Sequence, residues 1–132
     1  MCTSHDVEDK TEVADPRGGF TRVEDWPRYP PEMHFEMGSG IAVDSDGIIY
    51  LFTRDIEHWA THPLAFKDKM GKSSISMFNR DGDYLGKWGP SDERGFALGG
   101  HTLYIENDGM FWTTDRDGHT VKKYHPSGEL LL

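Results

Sequence analysis

Short apolar runs and polar turns alternate along the chain from Gly40 onward. Four of the turns end in glycine, at positions 45–47, 80–82, 107–109 and 127–128. Asp-Gly supplies the positive backbone torsions that a tight hairpin turn needs. The pattern therefore predicts four β-hairpins, which make eight strands. The segments that flank the turns are IAVD and IIYLF, ISMFN and DYLGKW, LYIE and MFWTT, and VKKYH and ELLL.

The hairpins repeat as two pairs. The first hairpin, with Asp46 and Gly47 at its turn, recurs 62 positions later with Asp108 and Gly109. The second recurs 46 positions later, so the first pair holds an insertion of 16 residues within DIEHWATHPLAFKDKMGKS. A repeat of roughly 40 to 50 residues that holds four strands is typical of propeller blades. The alternative is a compact eight-stranded sandwich or barrel. The positions matched at the first offset are Ile41, Val43, Asp46, Gly47, Tyr50 and Arg54 with Leu103, Ile105, Asp108, Gly109, Trp112 and Arg116.

The predicted fold is all-β, as about two four-stranded blades of a β-propeller. We expect a flexible acidic tail over 1–19, an extended lead-in over 20–39, a first blade over 40–89 with its insertion at 55–73, and a second blade over 90–132. The last strand of the second blade is expected to be cut off. Two blades leave long sheet edges exposed. We therefore expect either a piece of a longer protein or association of copies, with three copies giving six blades.

Composition and charge narrow the function. Against 14 basic residues stand 23 acidic ones, for a net charge of −9, so binding to nucleic acid is disfavoured. No apolar run is long enough for a membrane span, and no signal peptide is recognised, so no membrane partner is expected. The single Cys2 leaves the compartment undecided. The four Trp, five Tyr and seven Phe supply most of the expected core.

Three segments of the chain resemble NHL-repeat β-propellers, specifically those like peptidylamidoglycolate lyase. The resemblance implies a six-bladed propeller with a zinc ion held at its axis by three histidines and a structural calcium nearby. It also implies cleavage of a peptide with a C-terminal hydroxyglycine into a peptide amide and glyoxylate. The segments are VEDWPRYPPEMHFEMGSGIAVDSDGIIYLFTR, SISMFNRDGDYLGKWG and HTLYIENDGMFWTTDRDGHTVKKYHPSGELLL.

The resemblance assigns roles to four residues. His101 matches the first zinc histidine of the family's HGL motif, although Thr102 stands where the family has glycine. Leu103 and Ile41 match positions whose backbone carbonyls face the calcium. Arg54 matches an arginine of the active site. The remaining zinc histidines and the tyrosine base belong to later blades, which this chain does not contain.

Each of these residues also has a plainer interpretation. Arg54 ends an apolar strand, so it must find either an anion or a structural partner such as Asp55, Glu57 or Asp115. His58 and His62 have ligand spacing but lie in an expected loop. Among the remaining candidates, we expect strand or turn roles for His119 and His125, sheet-core roles for Phe111 and Trp112, and turn roles for Asp44, Asp46, Asp81, Asp83, Asp115 and Asp117.

Two functions follow as hypotheses. The first is a metal-dependent, lyase-like propeller that uses His101 and Arg54 and needs further blades or neighbouring copies to be complete. The second is a non-catalytic propeller module that binds a protein or peptide through the insertion around Trp59.

Overall fold

The computed structural model describes residues 18–19, 23–33, 37–54, 73–90 and 99–132. These residues form two antiparallel sheets and no helix, so the all-β prediction is confirmed for this part of the chain. The first sheet has the order β1-β2-β3-β4, the second β5-β6-β7, and neither closes into a barrel. The strands are β1 (Met37–Val43), β2 (Ile49–Arg54), β3 (Ser74–Phe78), β4 (Tyr84–Trp88), β5 (Gly100–Ile105), β6 (Phe111–Asp115) and β7 (Thr120–Tyr124).

The four predicted glycine turns are confirmed. Gly47 has a φ of 83° and donates its amide to the Asp44 carbonyl, 3.1 Å away. The Asp44 side chain then accepts the amides of Asp46 and Ile48 at 3.0 and 2.9 Å. These bonds hold the backbone in a conformation that residues with a Cβ atom rarely adopt. The other three turns also end in a glycine with positive φ, namely Gly82, Gly109 and Gly128.

The eighth strand, predicted over ELLL, is present only as a start. Leu130 forms a single bridge with Tyr124, and the amide of Leu131 donates to the Lys123 carbonyl at 2.8 Å. The second sheet therefore has three strands and a short fourth ribbon beside β7. In addition, β1 begins at Met37 rather than at Gly40.

A β-bulge recurs at equivalent places in the two sheets. In β1 the register shifts between Gly38 and Gly40, and in β5 it shifts between Gly100 and Thr102. The extra residues are Ser39 and His101, which are 62 positions apart. The internal repeat therefore includes the position of the bulge in the backbone as well as the pattern of residue types. A bulge locally redirects a strand and the side chain that it carries.

The core lies between the two sheets. We call the face that each sheet turns towards the other its inward face, and the opposite face its outward face. Six side chains of the inward faces are almost completely buried and pack together: Tyr50, Phe52, Ile75, Leu103, Phe111 and Tyr124. Aromatic rings supply most of this contact, as the composition predicts. Examples are the edge-to-face pair of Tyr50 with Phe111 and the stacked pair of Trp88 with Phe111.

The two inward faces are not equivalent faces of the repeat. Ala42 of the first sheet points inward, whereas its equivalent in the second sheet, Tyr104, is 62% exposed. Conversely, Leu103 points inward, whereas its equivalent Ile41 is 60% exposed. Successive strand residues point to opposite faces of a sheet, so this relationship holds along each whole strand. One sheet thus packs its front face on the back face of the other, an arrangement that we call head to tail. Each sheet keeps one outward face.

Part of the lead-in covers the outward face of the first sheet. Trp26 and Tyr29 contact Phe78, with ring centroids 6.0 and 5.0 Å apart, and Phe78 is fully buried. The Arg28 amide donates to the Gly82 carbonyl at 2.9 Å. Residues 23–33 contain no strand, only a bridge between Arg28 and Asp83. The predicted tail, apart from 18–19, and the insertion over 55–72 lie outside the described residues.

Candidate functional site

The four residues singled out by the resemblance lie where the two sheets meet along β1 and β5. Ile41 is on β1, His101 and Leu103 are on β5, and Arg54 ends β2 beside the start of β1. The backbones of β1 and β5 approach so closely that a Cβ atom at Gly40 would lie 3.0 Å from the Leu103 nitrogen. Residues far apart in sequence therefore lie near the line where β1 meets β5, with Arg54 on the neighbouring strand β2.

Arg54 is the buried cation of this region, with 7% of its surface exposed. Its Nε donates to the Gly100 carbonyl, the residue immediately before His101. Burial lowers the pKa of Arg54 from its ordinary value, as does the neighbouring charge of Arg116, while Asp117 and Asp115 act in the opposite direction. Of the partners expected, Asp115 thus acts on Arg54 electrostatically. Asp55 and Glu57 lie outside the described residues.

The start of β5 is held by a buried carboxylate. Asp115 Oδ1 accepts backbone amides from Gly99, Asp117 and Gly118, at 2.9, 3.1 and 2.9 Å. The Gly100 amide donates to Ser73 Oγ at 3.1 Å. These bonds tie the loop after β6, the start of β5 and the residue before β3 together. They fix the backbone on which His101 is carried.

His101 is exposed and lies at the bulge of β5. His101 is the extra residue of this bulge, and a bulge redirects the side chain that it carries. Catalytic zinc needs three protein ligands and one open position. In the described part of the chain, no three His, Cys, Asp or Glu side chains come together as a possible metal site. The described residues therefore supply one imidazole and do not fit a complete zinc site.

The minor candidates divide clearly. His119 lies in the turn between β6 and β7 with a φ of 50°, and the His125 ring accepts the Ser127 amide at 3.1 Å through Nδ1. The expected turn roles of both are thereby confirmed. Phe111 is core, with 2% exposure, but Trp112 points outward, so its core assignment is wrong. His58 and His62 lie outside the described residues.

Trp112 makes a side-chain hydrogen bond that corresponds to one in the first sheet. Its Nε1 donates to Glu106 Oε1 at 2.7 Å, and Lys123 lies over its ring, 5.0 Å from the centroid. The equivalent bond in the first sheet joins the Tyr50 hydroxyl to Asp44 Oδ2 at 3.0 Å. Lys123 and Trp112, by donating hydrogen bonds to Glu106, hold the pKa of that carboxyl below its usual range.

Sequence reasoning missed two features of this region. One is Asp115, for which the sequence predicts an ordinary turn role, although its carboxylate is buried and accepts three backbone amides. The other is Trp26, whose equivalent at the 62-residue offset is Trp88. Extending the repeat backwards from Ile41 would have revealed that pair, because the offset is constant.

Comparison of the chain with protein-family models, with curated proteins and with solved structures gives no match. No helix that could span a membrane occurs in the described ranges.

Proposed function

We propose that the chain forms two neighbouring blades of an NHL-type β-propeller related to peptidylamidoglycolate lyases. In this proposal His101 contributes one metal ligand, Arg54 belongs to the substrate side of the same site, and the backbones of Ile41 and Leu103 face a structural calcium. Zinc, when bound, would polarise an oxygen atom of the substrate. The chain alone is incomplete as a catalyst.

One observation carries this proposal: the equivalent bulges at Ser39 and His101 lie on two strands packed side by side, with Arg54 bonded to the residue before His101. Blades of a propeller bring equivalent strands together around an axis. Head-to-tail packing of the sheets supports the same arrangement, because a closed ring of repeats requires it. A face-to-face sandwich would instead bury equivalent faces together.

The test is metal binding by the full chain at a concentration where neighbouring copies can supply the remaining ligands. Equilibrium dialysis against zinc, followed by elemental analysis, should give bound zinc in the unaltered protein and at least a tenfold weaker affinity in His101→Ala, since each lost ligand is costly. His125→Ala is the matched control, because that histidine serves the turn after β7, at the opposite end of the second sheet from His101.

Three results would contradict the proposal. They are no zinc bound at saturating metal, equal affinity in the unaltered chain and His101→Ala, or a loss in His125→Ala as large as that in His101→Ala. Formation of glyoxylate from a hydroxyglycine peptide by the monomeric chain would contradict its incompleteness as a catalyst.

A second candidate is a non-catalytic propeller module that binds a protein or peptide. The exposed ring of Tyr104 on the outward face of the second sheet favours it. Under this proposal, binding of a partner is independent of metal and is weakened by Tyr104→Ala or Trp59→Ala with an unchanged fold. A partner whose binding requires zinc would argue against it.

A further inference from the structure

The two outward faces carry exposed apolar side chains that the repeat relates to buried ones. On the second sheet, Tyr104 and Val121 are 62% and 59% exposed, although their equivalents in the first sheet, Ala42 and Ile75, pack in the core. On the first sheet, Ile41 and Val43 are 60% and 58% exposed, although their equivalents in the second sheet, Leu103 and Ile105, also pack in the core. Each outward face thus carries apolar side chains at the positions that, in the other sheet, pack in the core between the sheets.

Trp26 already occupies part of such an interface. On the second sheet, Trp88 packs against Tyr124 with centroids 5.8 Å apart. On the first sheet, Trp26 packs against Phe78 at 6.0 Å. Phe78 is the equivalent of Tyr124 at the 46-residue offset, and Trp26 is the equivalent of Trp88 at the 62-residue offset. The lead-in thus places on the first sheet the contact that the strand end of a preceding repeat would make.

If the preceding repeat is the second sheet of another copy, that sheet has a free position at which Trp26 could pair. In the first sheet, Trp88 is paired with Ile75 across β3 and β4. The equivalent of Ile75 in the second sheet is Val121. Among the described residues, the short ribbon beside β7 bonds to Lys123, Tyr124 and His125 and does not extend to Val121. A tryptophan could therefore be added opposite Val121 in continuation of that ribbon. Unlike charges would meet at the next pair, because Asp25 would lie opposite Lys122.

We propose that a second copy of this chain docks head to tail, with the outward face of its first sheet on the outward face of the second sheet. Trp26 of one copy then lies beside Val121 of the other, and Ile41 and Val43 lie against Tyr104 and Trp112. The contact repeats the interface between the two sheets of one chain. Such a heterologous contact closes into a ring if its rotation allows, and three copies would carry six sheets.

This association requires no bound metal and neither His101 nor Arg54, and Ile41 takes part through its exposed side chain rather than its backbone. Its failure and that of the proposed function are therefore separate results. Sedimentation velocity of the full chain, without added metal, should show species of two or more chain masses as concentration rises. Val121→Glu and Ile41→Glu each place a charge on one of the two outward faces without entering the core. Each variant should associate at least about tenfold more weakly than the unaltered chain. Leu85→Glu is the control, because Leu85 is half exposed on β4 and its equivalent Leu131 takes no part in the core between the sheets.

A mixture of the two variants gives the sharpest test. Val121→Glu keeps an intact first-sheet face and Ile41→Glu keeps an intact second-sheet face, so an equimolar mixture should form a dimer although each alone does not. Circular dichroism must show that both variants are folded. A chain that stays monomeric at all concentrations, a mixture of folded variants that stays monomeric, or self-association of Ile41→Glu equal to that of the unaltered chain would overturn the proposal. The last result would show that the outward face of the first sheet takes no part in the association.

Discussion

The indole of Trp88 is stacked on the ring of Phe111, with 3.9 Å between the ring centroids and 14° between the ring planes. Trp88 ends the outermost strand of the first sheet, and Phe111 begins the middle strand of the second. Trp88 Nε1 also donates to the Pro126 carbonyl at 2.7 Å. One side chain thus links the two sheets by both apolar and polar contact.

Phe111→Ala should therefore lower the free energy of unfolding by about 3 to 5 kcal/mol, the usual cost of removing a buried aromatic ring. Urea unfolding followed by far-ultraviolet circular dichroism measures this loss. Tyr104→Ala, on the outward face, should change the free energy by about 0.5 kcal/mol or less at low protein concentration. Similar losses in the two variants would mean that the core does not lie between the sheets.

Alkaline pH should destabilise the fold through Tyr50. Burial, together with the hydrogen bond to Asp44, raises the pKa of Tyr50 from 10.0 to about 12. The unfolded chain therefore loses this proton first, and the free energy of unfolding falls as the pH rises from 10.0 towards 12. Absorbance of tyrosinate at increasing pH should show late titration that Tyr50→Phe reduces.

Tyr124 provides an independent check of the same effect. Burial raises its pKa to about 12 as well, so Tyr50→Phe should leave part of the alkaline fall in stability in place. Asp44→Asn should bring the titration of Tyr50 to lower pH, because it removes the acceptor's negative charge. An unchanged titration in Asp44→Asn would show that the carboxylate has no influence on the hydroxyl.

Asp115 should be more important than its position in a turn suggests. Asp115→Ala leaves three backbone amides without their acceptor and should cost about 1 to 3 kcal/mol of stability. Asp115→Asn keeps one side-chain oxygen and should cost less. Hydrogen exchange at the Gly99 amide measures the local effect, which should be faster exchange in the alanine variant. Unchanged exchange there would contradict the assigned bond.

Arg54 and Arg116 form a matched pair for testing the buried guanidinium, since the repeat makes them equivalent. Arg54→Met removes the donor to the Gly100 carbonyl and should cost about 1 to 3 kcal/mol. Arg116 bonds to Asp117 at 2.8 Å with 47% of its side chain exposed. Arg116→Met should therefore cost about 1 kcal/mol or less. Equal losses in urea unfolding would contradict a structural role specific to Arg54.

The sequence carries enough information for the local elements of this fold. Gly47, Gly82, Gly109 and Gly128 mark the turns because the positive φ is a property of one residue and its neighbours. The 62-residue offset between Asp46 and Asp108 likewise needs no knowledge of packing. Turns and repeat were therefore predictable, and with them the all-β class.

It was harder to predict from the sequence which side chains of each strand point inward. Trp112 belongs to an apolar strand, and only the partner sheet decides that Phe111 points inward while Trp112 points outward. The short ribbon at Leu130 shows a second limit, because strand residues do not reveal how many ladder bonds they form. At the candidate site, the bond from Arg54 to Gly100 joins residues that are 46 positions apart, and no local pattern reports it.

The bond between Tyr50 and Asp44 has a counterpart between Trp112 and Glu106 in which both residue types differ. The indole Nε1 of Trp112 lies closer to its own backbone than the hydroxyl of Tyr50 does, and the longer side chain of Glu106 makes up the difference. Exchanging one member alone would leave the contact too long or too crowded. The two units can therefore diverge at this contact only when both residues change together. The geometry of the contact is then kept for longer than the residue types that form it.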